Sequence, residues 1–210
     1  MHPAAAAWQE ALTRLDRWFA AAEARHPGVI PCRAGCSACC HGPFDISAAD
    51  TLLLREGLST LDPAVRTHVR ERGERLLARM RVLAPQWGPP WDVSALGDEA
   101  FDQLADQLAA EPCPLLDDAG QCRVYAHRPL VCRLIGLPML TAGGDVLENA
   151  CPIQEQFPGY HALDPLAFDL EALEDVELAA LEASALALWG TPPDLTRETT
   201  IAAVAAGQEG

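Results

Sequence analysis

The chain has 210 residues, half of them hydrophobic, with 37 alanines and only 6% aromatics. That is enough apolar material for a real core, which excludes a disordered protein and points to closely packed helices. The formal charge is -15, with 15 arginines and no lysine, so a phosphate backbone or an anionic lipid surface meets repulsion, and neither nucleic acid nor a membrane is an expected partner.

In chain order, residues 4–25 carry Trp8, Leu12, Leu15, Phe19 and Ala22 on one helical stripe, ended by His26-Pro27-Gly28. Arg14, Asp16 and Arg17 interrupt this stretch, so it reads as neither a signal peptide nor a membrane span, and a cytoplasmic address is expected. Ser47-Ala-Ala-Asp50 resembles a capping box for a helix running through residues 52–54 and closing near Gly57. Asp62-Pro63 opens a longer helix with Val65, Val69, Leu76, Met80 and Leu83 inward. Gly73 lies near that stripe, where another backbone could approach. Residues 85–97, with Trp87 and Trp91, read as an ordered loop with the tryptophans packed inside, and 98–110 as a helix. Asp164-Pro165 opens the longest expected helix, through Leu166, Leu170, Leu173, Leu181 and Leu188 to Gly190, where Pro192-Pro193 forbids continuation. The reading is therefore one domain over 1–190, followed by a loosely ordered tail over 191–210.

Eight cysteines carry the chemical information: Cys32, Cys36, Cys39, Cys40, Cys113, Cys122, Cys132 and Cys151. In a chain long enough to build its own core, with no export signal, such grouping favours metal binding or redox chemistry over disulfides. Four lie in the string Cys32-Arg-Ala-Gly-Cys36-Ser-Ala-Cys39-Cys40. The Cys36–Cys39 spacing lets a short turn aim two thiolates at one ion. Adjacent side chains diverge on a helix or a strand, so Cys39 and Cys40 point to a polynuclear cluster or to two separate metals. In the second group, Asp117-Asp118-Ala119-Gly120 reads as a hairpin turn that sets Cys113 beside Cys122, and Pro129 as the start of a short helix bearing Cys132. Cys151 precedes Pro152. Arg33, Arg123 and Arg133 each follow a cysteine and are placed to offset thiolate charge and depress thiol pKa values. His41 and His127 read as polar neighbours rather than ligands. Cys32-x3-Cys36-x2-Cys39 also has the spacing of radical S-adenosylmethionine enzymes, but no βα repeats accompany it.

These strings, together with Arg128-Pro129-x-x-Cys132-Arg133, resemble the CxxCxxCC (YkgJ-like) family of zinc- or iron-chelating proteins over about residues 30–155. The resemblance implies that the cysteines chelate metal, as an iron–sulfur cluster or as zinc. It implies no defined reaction. A redox or methyl-transfer-related enzyme is the alternative, because flagellin lysine methylases carry a similar cluster. The expected architecture is mainly α, with helices packed around an irregular cysteine-rich metal centre and a small β-hairpin. The first cysteine loop must meet the second group across the 72 residues between Cys40 and Cys113. Charge is uneven: residues 62–84 hold six arginines, while eight acids and no base lie between Val82 and Cys122. Internal pairing of the two is the simple reading, and an acidic protein partner at the arginine-rich helix the sharper one.

Overall fold

The computed structural model describes residues 1–33, 35–190 and 195–210. It is mainly α. Helix α1 spans Pro3–Arg25, α2 Ala48–Ser59, α3 Pro63–Leu83, α4 Val93–Leu96, α5 Asp98–Gln107, α6 Val131–Leu134, α7 Leu170–Trp189 and α8 Ile201–Ala206. The strands are two-residue pieces: β1 Asp45–Ile46, β2 Met139–Leu140, β3 Val146–Leu147, β4 Leu166–Ala167 and β5 Thr199–Thr200. β2 and β3 form the small antiparallel hairpin, β4 joins β2 in parallel, and β1 pairs antiparallel with β5.

Local chemistry sets the helix starts. The Ser47 side chain accepts from the Asp50 N–H, Asp62 from Ala64 and Asp169 from Ala172, each satisfying one of the free donors of a first turn. Pro63 fits the first position of α3, where no N–H is needed.

Two packed units flank the cysteine region. In the first, α1 buries Trp8, Leu12 and Leu15 against Leu53 of α2 and Leu173 and Ala180 of α7. In the second, α3 packs Leu76 and Met80 against α8, with Trp87, Trp91, Phe101 and Leu104 closing the side. Trp87 and Trp91 are buried in the core edge to face, centroids 5.2 Å apart, with Trp91 also reaching the wall of a surface cavity beside Arg81. Between the units lie Ile46, Leu54, Val69, Leu115, Val124 and Ile201.

The structure corrects three expectations. The final helix begins at Leu170, not at Asp164-Pro165, because Leu166 and Phe168 donate their N–H groups to Pro138 and Leu140 in the β4–β2 ladder. At 20 residues it is also shorter than α1, which has 23. The expected loose tail is overturned for residues 195–210. Every residue of α8 is buried, at 7% exposure or less, because Ile-Ala-Ala-Val-Ala-Ala has no polar face to offer water. Pro192-Pro193 and the rest of 191–194 lie outside the described residues. Leu83, expected inward, is 42% exposed at the end of α3.

α8 reaches its place through Gly73. A Cβ there would stand 2.8 Å from the Ala202 carbonyl oxygen and 2.9 Å from the Ala206 nitrogen, both backbone atoms that cannot step aside. Gly73→Ala in an exposed helix would add up to about 1 kcal/mol of stability. Here it must force α3 and α8 apart, and we expect a net loss of about 2 kcal/mol, as in other overpacked cores. Calorimetry checks this: a raised melting temperature would contradict the close approach.

Candidate metal centre

Backbone hydrogen bonds join the two cysteine groups directly. The Cys113 N–H donates to the Cys40 carbonyl at 2.9 Å, and His41 bridges antiparallel to Pro112. The Asp117–Gly120 turn closes as a hairpin, with Leu116 bridged to Cys122 and the Asp117 carboxylate accepting from the N–H groups of Ala119 and Gln121. Cys132 sits on α6, whose first turn follows Pro129.

Seven of the eight cysteines, Cys32, Cys36, Cys39, Cys40, Cys113, Cys122 and Cys132, line one partly enclosed cavity of about 50 Å³. Phe44, Leu115, Leu116, Ile135 and Ile201 supply its apolar walls. Cys151 is buried outside that lining, but its thiol is near enough to Cys36 and Cys39 to feel their charge. Asn149 brings it there: its carbonyl accepts from the Gly136 N–H, and its amide donates to Leu137. Gly136 in turn lies against Cys32, where any Cβ would stand 2.7 Å from that of Cys32. All eight cysteines are free thiols. Among the described residues, no three histidine, cysteine or carboxylate side chains already form a closed ligand set around one point. The thiols share a cavity without yet converging on one point.

The Cys39 and Cys40 thiols were expected to diverge. Both line the same cavity instead, near enough for Cys40 to raise the Cys39 thiol, in a turn (Cys40 N–H to the Ser37 carbonyl, 3.0 Å) rather than a helix or strand. His41 and His127 do not line the cavity, and His127 packs against Gly57 of α2.

Burial dominates the electrostatics. It pushes the Cys32 thiol up to about 11 and Cys113 up to about 12, with neighbouring cysteines adding to the rise. Burial likewise raises Cys122, Cys132 and Cys151, and Cys40 raises Cys39. The expected depression by Arg33, Arg123 and Arg133 is therefore not what the structure has. Backbone N–H groups lead the opposition at Cys39, Cys113 and Cys122, and Arg128 leads it at Cys32. Arg128 also acts at Cys39 and Cys122, Arg133 at Cys122 and Arg72 at Cys113, and together they are outweighed. Moving thiols into an apolar cavity costs more than guanidinium groups return. A cation among the sulfurs would supply the charge that the arginines do not.

Sequence reasoning missed the groups that hold this cavity in shape. Asp50 is fully buried and accepts from Trp8 Nε1 at 2.7 Å and from the Leu130 N–H at 3.1 Å, tying α1, α2 and the start of α6. Asp16 of α1 binds Arg128 at 3.0 Å and also Arg133. Arg133 is buried and donates to the carbonyls of Arg128 and Ala126. Arg128 lies over the Tyr125 ring, 4.0 Å from its centre. Arg72 of α3 donates to the carbonyls of Leu116 and Cys113. The one available signal was an acidic residue on the inner stripe of a helix, as Asp50 is. The partners of Asp16, Asp50 and Arg72 lie tens of residues away and leave no local trace.

Residues 31–152 match the family model CxxCxxCC, described as a putative zinc- or iron-chelating domain. The chain belongs to this family. No curated protein and no solved structure matches it. The matched span covers both cysteine groups and the lining of their cavity apart from Ile201, and leaves outside it α1, α7 and α8, the helices that pack around the centre. Among the described residues, no helix is long and apolar enough to cross a membrane.

Proposed function

We propose that the eight cysteines chelate more than one ion of iron or zinc in a single thiolate centre. The observation that carries this is the gathering of seven thiols around one small, partly enclosed cavity. One tetrahedral ion takes four thiolates, so seven or eight imply two ions or an iron–sulfur cluster. A cavity of about 50 Å³ suits ions or a compact cluster, whereas organic ligands occupy pockets of about 300 Å³ or more. Bound there, the metal would hold distant segments together and, as iron–sulfur, carry electrons. The chain contributes the sulfurs, an apolar wall that excludes water, and Arg128 and Arg72 as partial counter-charges. A reducing compartment such as the cytoplasm suits eight free thiols.

A second reading, an enzyme with redox or methyl-transfer-related chemistry, is favoured by one feature. An open cleft of about 270 Å³ lies against Cys32 and Cys132, lined also by Asp16, Phe19, Tyr125 and Arg128. Elemental analysis after anaerobic purification tests the main proposal. More than one ion per chain is expected, and one ion or fewer at demonstrated full occupancy would overturn it. Brown protein with broad visible absorption assigns iron–sulfur, and colourless protein with zinc assigns zinc.

A further inference from the structure

Helices α2, α3 and α8 leave an open groove of about 500 Å³. Leu58, Val204 and Ala205 are buried at its floor, Arg55, Arg66 and Arg70 line it with Ser59 and Thr67, and Glu209 is the acid among its lining residues. Internal pairing with the acidic stretch between Val82 and Cys122 accounts for only one arginine of α3, Arg79, which binds Glu111. Arg72 is used by backbone carbonyls, and Arg81 lies over Trp91 at 5.2 Å. Those three do not line the groove.

The groove arginines are differently placed. Arg55 is held by the buried Glu209 at 3.2 Å. Arg70 is 3.9 Å from Glu74, with both side chains about half exposed, a contact worth little in water. Arg66 is exposed and has no acidic partner among the described residues. In a chain of charge -15, two guanidinium groups left facing one apolar-floored groove are a local reversal of field.

We propose that this groove binds a short acidic segment of a partner protein. Arg66 and Arg70 lie one helical turn apart, about 6 Å along α3. Alternate side chains of an extended segment repeat at about 6.8 Å, so two carboxylates spaced by one residue match the pair. An apolar side chain flanking them meets Leu58 and Val204 on the floor. A nucleic acid fits less well: its charge continues past the groove into the negative field of the whole chain, and its backbone has nothing for an apolar floor.

The proposal is independent of the metal centre and can fail alone. The test measures fluorescence anisotropy of a labelled short peptide of alternating glutamate and leucine with metal-replete protein. Its glutamine counterpart and a generic oligonucleotide serve as competitors. Binding is expected to be at least tenfold tighter for glutamate than for glutamine and to weaken as salt rises. Arg66→Ser and Arg70→Ser should each weaken it about tenfold, as loss of a charge-assisted hydrogen bond does. Arg75→Ser, at an exposed arginine of α3 outside the groove, should leave it unchanged. All three variants should keep wild-type metal content and melting temperature, because the side chains are exposed. The proposal is overturned by no binding, by equal binding of the glutamine peptide, by equal loss in Arg75→Ser, or by preference for the oligonucleotide. It is also overturned by self-association that Arg66→Ser abolishes, which would make a second copy of this chain the occupant.

Discussion

Cys132→Ser, purified without oxygen, is expected to carry less metal than the wild type and to exchange amide hydrogens faster across residues 30–42 and 113–151. α1 and α7 should keep most of their ellipticity. The reasoning starts from what holds each part. α1, α2 and α7 are tied by Trp8, Leu12, Leu15, Leu53 and Leu173, none of which lines the cysteine cavity. The cysteine segments have turns, one-residue bridges, a four-residue helix and the two-residue strands β2 and β3, so their own hydrogen bonds protect little. Ligation in structural thiolate sites contributes about 10 kcal/mol or more, comparable to the whole stability of a domain of this size. Cys132 is nearly buried on α6 and packs beside Leu116 and Val131, and serine keeps its size while removing the thiolate. Unchanged exchange protection in the metal-free protein would mean that the cavity is preformed. The metal would then be handled rather than used as a staple.

Asp50 gives the second large effect. Asp50→Ala leaves Trp8 Nε1 and the Leu130 N–H buried without an acceptor, each costing about 1–3 kcal/mol. Relief from burying a carboxylate offsets part of this, so a net loss of about 2 kcal/mol is expected, or about 4–8 °C in melting temperature. Metal content should fall as well, because Leu130 begins the turn that carries Cys132.

Burial pushes the Asp50 carboxyl up to about 6 from its ordinary 3.8, while Trp8, the Leu130 N–H and Arg133 pull the other way. A raised pKa means that folding takes up a proton between about pH 4 and 6. The stabilisation this provides is full below about pH 4 and is lost as pH rises through 6. Two pH units correspond to about 3 kcal/mol. Glu177, pushed up to about 7 chiefly by burial and then by Asp50 among other acids, has the same sign and extends the loss upward. The stability difference between wild type and Asp50→Asn should therefore shift in favour of the asparagine variant from pH 4 to 6 and then level. A flat difference would show that Asp50 does not titrate there.

The sequence by itself determined the elements whose causes are local. The stripe of Trp8, Leu12 and Leu15, the Ser47 and Asp62 caps and the Asp117–Gly120 turn all act within a few residues, and each stands where periodicity and capping chemistry place it. The cysteine strings were equally legible, because ligand spacing is a one-dimensional pattern, and they sufficed for the family. Tertiary structure decided what depends on residues far apart in the chain. α8 has no polar face and so no amphipathic period to read, and only its fit against Gly73 reveals it as core. The start of α7 moved because Leu166 and Phe168 give their N–H groups to a strand some 28 residues earlier. That Cys39 and Cys40 line the same cavity depends on a turn standing where a helix or strand would make neighbouring side chains diverge. Thiol acidity followed the same logic: arginines adjacent in sequence suggested depression, but burial, a property of the folded cavity, outweighed them. Asp16, Asp50 and Arg72 shape the site through partners 41 to 117 residues away, at distances that only folding brings within 3 Å or so.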